Sequence, residues 1–180
     1  MKKVLSKVGL LTLLTVGSMA GDMYGSIGTA LTTESGYDSG VSAVATAGMK
    51  LDKIMPDFGV EVELSKTLVD TSNSYYNGSE DHSILNVGAY AVYYVKVPNS
   101  SFVIKPRLGL NYQNFSTSYS NTNDDSWYRA LNDAIDDTFS GTYFSYGVGV
   151  TYPLGNLNLY ADYTDEGLSS NIGVGVGMAF

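Results

Sequence analysis

Residues 171–180 read Asn171-Ile172-Gly173-Val174-Gly175-Val176-Gly177-Met178-Ala179-Phe180, and the reading of this stretch decides the fold. In an extended chain successive side chains point to opposite sides. Ile172, Val174, Val176, Met178 and Phe180 therefore share one face, and Gly173, Gly175, Gly177 and Ala179 share the other. One face is greasy and the other nearly bare. Working outward, Phe144, Tyr146, Val148, Val150 and Tyr152 alternate with Ser145, Gly147, Gly149 and Thr151. Leu108, Leu110 and Tyr112 alternate with Arg107, Gly109 and Asn111, and Leu85, Val87, Ala89, Ala91 and Tyr93 with Asn86, Gly88, Tyr90 and Val92. Val60, Val62 and Leu64 alternate with Glu61, Glu63 and Ser65. Weaker alternation runs through 23–31, 41–51 and 157–164, which makes eight strands.

The connections between these strands alternate in length, with 32–40, 69–83, 116–141 and 165–171 long and 52–57, 96–101 and 153–156 short. Every second connection of an up-and-down meander lies at the same end, so one end carries tight turns and the other larger loops. Alternation alone does not say whether the apolar faces look into a core or out into lipid. Three features point to lipid. The opposite faces are crowded with Gly, Ser, Ala and Thr, which suits the narrow interior of a small barrel, whereas a water-facing sheet would carry Lys and Glu. Seven of the eight strands reach the ~9–11 residues that a tilted strand needs to cross hydrocarbon. Aromatics gather at the strand ends: Tyr24, Phe58, Tyr93, Tyr94, Phe102, Tyr152 and Phe180 near the short turns, and Tyr112, Phe115, Tyr143, Phe144 and Tyr163 near the loops.

Composition excludes several classes. The 180 residues include no cysteine, which removes disulfides, thiolate metal sites and cysteine nucleophiles. Ten basic against 18 acidic residues would repel a phosphate backbone, so no nucleic-acid partner is expected. Lys2, Lys3 and Lys7 precede an apolar stretch, 8–16, and Ser18-Met19-Ala20 supplies small residues for cleavage, the pattern of a Sec-type signal peptide over 1–20. Its loss leaves a barrel domain over 21–180 with 7 basic and 18 acidic residues, a net charge of −11. The expected fold is an all-β, eight-stranded antiparallel up-and-down transmembrane β-barrel. Unpaired backbone in lipid costs several kcal/mol per group, so the first strand must pair with the last.

Taken together, the signal peptide, the eight amphipathic strands and the terminal Val174-Gly175-Val176-Gly177-Met178-Ala179-Phe180 resemble the bacterial outer-membrane β-barrel family of the OmpA transmembrane-domain and OmpX type. The resemblance covers 21–180. It implies a Gram-negative outer-membrane location, short periplasmic turns, long extracellular loops, periplasmic termini, and contact with outer-membrane lipid and lipopolysaccharide. It also implies that Val174, Val176, Met178 and Phe180 form the signal read by the barrel-assembly machinery. The peptidoglycan-binding domain of OmpA has no counterpart after Phe180 in this sequence.

Candidate chemistry is sparse. Lys50, Glu61, Glu63, Lys105, Arg107 and Asp162 fall on the non-lipid faces and sum to zero charge. Buried charges must be paired, so Glu61 and Glu63 are expected to meet Lys105 and Arg107 across Gly88, as a lumenal plug or as a gate. The only histidine, His82, reads as a solvated loop residue, since Asp81 and Ser83 are its sequence neighbours and cannot converge into a triad. Gly173-Val174-Gly175-Val176-Gly177 lacks the spacing and the following helix of a dinucleotide loop. Trp127, Leu131, Ile135 and Phe139 recur every four residues and predict a short amphipathic helix, packed on the barrel rim or offered to an extracellular ligand. Asp133, Asp136 and Asp137 lack the spacing of a calcium loop, so no metal and no cofactor is expected. The reading is a non-enzymatic surface protein with a structural, adhesive or protective role; the alternative is a narrow porin-like channel for ions or small solutes.

Overall fold

A computed structural model describes residues 23–52, 54–75, 78–121 and 140–180. The signal peptide and the Trp127, Leu131, Ile135 and Phe139 helix, with its three aspartates, lie outside the described residues. Among the described residues the chain forms ten hydrogen-bonded segments: β1 (Met23–Glu34), β2 (Gly40–Lys50), β3 (Phe58–Val69), β4 (Thr71–Tyr75), β5 (Gly78–Tyr93), β6 (Val95–Lys96), β7 (Val103–Asn121), β8 (Gly141–Leu154), β9 (Leu157–Asp165) and β10 (Ser169–Ala179). Interruptions at Asp70 and Tyr94 split two continuous crossings, β3 with β4 and β5 with β6, so the wall is a closed antiparallel barrel of eight strands.

Closure runs through β1 and β10, paired from Tyr24↔Ala179 to Glu34↔Ser169. The seam extends one residue further, where the Phe180 N–H donates to the Met23 carbonyl at 2.9 Å. With no open edge, every spanning segment has a ladder partner on both sides, which is what hydrocarbon demands.

Side-chain direction follows the pleat. Ile172, Val174, Val176, Met178 and Phe180 face outward, Val174 being 58% exposed, and Leu64, Leu108, Leu110, Val148, Val150 and Leu159 extend the same greasy surface round the barrel. Lys66 also points outward, paired with Leu85 one step beyond the Leu64, Val87 and Tyr112 row, where a long stem can carry its ammonium to the interface. Tyr112, Phe144, Tyr146 and Tyr163 form the exposed aromatics of one girdle, and Tyr93, Phe102, Tyr152 and Phe180 those of the other, with Phe58 half-buried beside Tyr93. Four aromatics expected in the girdles turn inward instead: Tyr24, Tyr94, Phe115 and Tyr143. Each occupies an inward register position, and burial in the lumen outweighs the interfacial preference of its ring.

The tight turns each place one residue in the left-handed region: Asp57 at φ 59°, Asn99 at φ 58° and Gly155 at φ 63°. Asp, Asn and Gly are the residues that tolerate it. At the other end the loops are shorter than the polar sequence suggests. Residues 71–75 and 78–83 are strand, and β7 continues to Asn121.

Candidate functional site

The lumen is where this chain concentrates its buried polar groups. Glu61 and Glu63 on β3 and Lys105 and Arg107 on β7 all face the axis because each sits on the inward phase of its strand. Lys105 Nζ lies 2.5 Å from Glu61 Oε1. Arg107 Nη1 lies 2.6 Å from Glu63 Oε2 and 3.9 Å from Glu61 Oε2. The Arg107 guanidinium also donates to the Thr164 hydroxyl and sits 4.7 Å from the Tyr90 ring centroid. Glu61 and Glu63 are 2% and 4% exposed. Charges so far from water persist only because each has an opposite partner within hydrogen-bond reach.

Gly88 contributes differently from expectation. The position a Cβ would take there is occupied by the Tyr90 ring, 2.5 Å away. The glycine makes room for the aromatic plate on which Arg107 rests. Lys50 and Asp162 join the cluster without forming ion pairs within 4.0 Å among the described residues. Lys50 Nζ lies 5.3 Å from the Tyr94 ring centroid, and Asp162 accepts a hydrogen bond from the Gly173 backbone. Gly173 is bare for a reason, since a Cβ would stand 2.6 Å from Asp162 Oδ1.

Two tyrosines complete the cluster and escape a reading based on hydropathy. The Tyr24 hydroxyl donates to Glu61 Oε1 at 2.5 Å and lies 2.5 Å from the Tyr94 hydroxyl. The parity of β5 already places Tyr94 with Tyr90 and Asn86, so phase is the signal that could have found it.

Towards the loop end the lumen is packed with neutral polar side chains. Thr32 donates to Asn171 Oδ1 at 2.7 Å and lies 2.5 Å from the Ser42 hydroxyl, and Gln113 Nε2 donates to Ser169 Oγ at 2.7 Å. Asn86 Nδ2 donates to Glu166 Oε2 at 2.6 Å. Glu166, in the connection between β9 and β10, folds its side chain into the barrel and is 1% exposed. Burial, with the nearby Glu63 charge, pushes its carboxyl up to about 8 against the opposing pull of Arg107. Nothing in Asp165-Glu166-Gly167 distinguishes this acid from an ordinary solvated loop residue.

His82 requires a correction. It is a buried strand residue of β5, 5% exposed, rather than a solvated loop histidine. It pairs with Thr117 five residues past the Tyr112 girdle position, beyond the hydrocarbon span. Its Nδ1 lies 2.9 Å from Glu34 Oε2, its Nε2 lies 3.2 Å from Glu80 Oε1, and its ring stacks on Tyr37 with centroids 4.3 Å apart. Burial pulls its pKa down, but the hydrogen bonds and charges of Glu34 and Glu80 outweigh that and hold it above the ordinary histidine value. Thr71 donates to the same Glu34 carboxylate at 3.1 Å, so one side chain ties β1, β4 and β5 together at the mouth.

A closed eight-stranded barrel with an apolar exterior and a charged, hydrogen-bonded lumen defines a β-barrel membrane protein. The chain belongs to the outer membrane protein beta-barrel domain family, which matches residues 9–180, and is thus a bacterial outer-membrane barrel. No curated protein matches the chain in sequence. Three of the solved structures that share the fold illustrate the likeness. Ail, the attachment invasion locus protein of Yersinia pestis, in complex with the heparin analogue sucrose octasulfate, superposes with a TM-score of 0.56 at 20% identity over 90% of this chain and 100% of that one. OprG from Pseudomonas aeruginosa gives 0.57 at 18% over 89% and 96%, and Neisserial surface protein A gives 0.52 at 22% over 88% and 96%.

Proposed function

We propose that this protein is a small, non-enzymatic surface protein of the Gram-negative outer membrane, structural, adhesive or protective in role, with a lumen plugged by charged side chains. The observation that carries this reading is the set of ion pairs at mid-barrel, Lys105 to Glu61 and Arg107 to Glu63, topped by the packed polar layers around Asn86 and Glu166. An eight-stranded barrel has an interior just wide enough for such side chains to fill. The proposal includes export by a signal peptide over 1–20 that is then removed, periplasmic turns and termini, and insertion by the barrel-assembly machinery reading Val174, Val176, Met178 and Phe180. Surrounding lipid and lipopolysaccharide would be its standing partners, and an extracellular ligand would engage the loop end. Ail was crystallised with a heparin analogue, so a barrel of this fold can take a ligand. The −11 charge of residues 21–180 favours a partner other than a polyanion here.

A narrow channel is the second reading, favoured by an open cavity that enters the turn end and reaches the Lys105 and Arg107 level. Planar-bilayer recording separates the two. The wild type is expected to be silent, and Glu61→Ala with Glu63→Ala is expected to lower the unfolding midpoint and release conductance steps. Discrete steps from the wild type would establish the channel instead, and a double variant unchanged in both stability and conductance would remove the plug.

A further inference from the structure

Lys50, Lys96, Lys105 and Arg107 all line the cavity at the turn end of the lumen. Among the described residues, Lys66 alone points a cation at lipid. Its neighbours on the same face of β3 are Leu64 and Leu68, 49% and 68% exposed, and its partners on the adjoining strands are Ala43 and Leu85. A cation set among apolar groups at membrane depth is costly unless it is neutralised or reaches the interface. Lys66 forms no ion pair within 4.0 Å among the described residues. Of the acids nearest to it in the chain, Glu63 faces the lumen and is held by Arg107 at 2.6 Å, and Asp70 accepts from the Thr67 hydroxyl at 3.3 Å. The protein supplies this lysine with no counter-charge.

Lys66 also stands at the edge of a groove of about 680 Å³ in the outer wall. The floor is Ala43 and Ala45 of β2 with Thr29 of β1, while Ile27 on β1 and Leu64 on β3 both pair with Ala45 and rise on either side of it. These ridges are two strand spacings apart, about 10 Å, which leaves room for an extended hydrocarbon chain between them. Lipid tails are as apolar as leucine, so greasiness by itself picks out no lipid, and shape and charge must make the selection. The groove supplies the shape and Lys66 the charge. Lys66 lies towards the loop end of β3, which the outer-membrane reading turns to the outer leaflet. We propose that this groove binds a phosphorylated, acylated glycolipid of that leaflet, of the lipid A type, with a phosphate on Lys66 and one acyl chain over Ala43 and Ala45 between Ile27 and Leu64. The inference rests on the outer-membrane placement and turns general lipid contact into a single site.

The test is native mass spectrometry of the folded, full-length mature barrel, released from detergent micelles titrated with diphosphoryl lipid A, dephosphorylated lipid A or phosphatidylglycerol. Saturable binding of diphosphoryl lipid A is expected, with the other two lipids about fivefold weaker or worse, the effect of one lysine at a lipid surface. Lys66→Gln is expected to weaken diphosphoryl lipid A by about the same factor and to leave the dephosphorylated form unchanged. Ala45→Phe fills the slot while keeping the charge, and is expected to weaken both forms of lipid A about fivefold or more. Val150→Phe, on β8 across the barrel, is expected to change neither, and the heat-dependent gel shift of each variant verifies that it is folded. Phosphatidylglycerol matching diphosphoryl lipid A, an unaltered diphosphoryl lipid A affinity in folded Lys66→Gln or folded Ala45→Phe, an equal loss in Val150→Phe, or no saturation with folded wild type would each overturn the site. Those results would leave bilayer silence and fractionation with the outer membrane intact, so the site and the placement fail separately.

Discussion

Arg107 is the residue on which most of the lumen converges, touching Glu63, Glu61, Thr164 and the Tyr90 ring. Removing one member of a buried pair strands its partner in a low-dielectric interior, at a cost of about 3–5 kcal/mol, whereas neutralising both costs far less. Arg107→Met is therefore expected to destabilise by that amount, and the double variant with Glu63→Gln to recover most of the loss. Urea unfolding of the barrel in lipid vesicles measures the cycle, and additive losses would show the two residues to be uncoupled. The inward placement of these charges was legible in the sequence, because a period of two assigns a face to each residue once the lipid face is known. Glu166 and His82 were not legible. Both lie where the strands or their connections leave the hydrocarbon, and there inside and outside are equally polar, so hydropathy carries no phase.

At the scale of the element, the turns and the strand extensions behave differently. The β8–β9 hairpin closes through Leu154↔Leu157, leaving Gly155 and Asn156 as its two loop residues, with Gly155 at φ 63°. A positive φ at the first central position is the demand of a type II′ turn, which matches the twist of the flanking strands. Gly155→Val places a β-branched side chain in the left-handed region and is expected to cost about 1–3 kcal/mol. The same unfolding assay checks this, and a neutral outcome would mean that the turn relaxes to another type at no cost. Gly155, Asn99 and Asp57 announce themselves in sequence as turn formers. The extensions do not: 71–75 and 78–83 carry Thr, Ser, Asn and Asp in loop-like density, yet they pair with each other and with β7. Their strand state follows from templating by an already formed ladder, whose next hydrogen bond costs little extra chain entropy.

At the scale of the whole molecule, closure buries titratable groups that would be solvated in the unfolded chain, and stability becomes a function of pH. Glu166 has a folded value near 8, above the ordinary 4.5, so its protonated form favours the fold. That contribution is complete below about pH 4.5 and is lost as pH rises towards 8. His82 is also raised, above 6.5, and the stabilisation from its clamp between Glu34 and Glu80 is complete below that value and fades as pH climbs through the folded one. Both act in the same direction, so the unfolding midpoint is expected to fall from about pH 5 to about pH 9. Glu166→Gln should flatten the decline and raise stability at the alkaline end, by an amount on the order of kcal/mol; an unchanged pH profile in this variant would remove Glu166 from the account. What the sequence alone determined is the architecture: eight alternating segments, their lipid face, and the need to close, because alternation and backbone satisfaction in lipid are local rules that each residue obeys separately. What only the tertiary structure decided is the content of the lumen. Which tyrosine meets which carboxylate, which carboxylate meets which cation, and where space is left over depend on strand stagger, and stagger is a property of all eight strands at once.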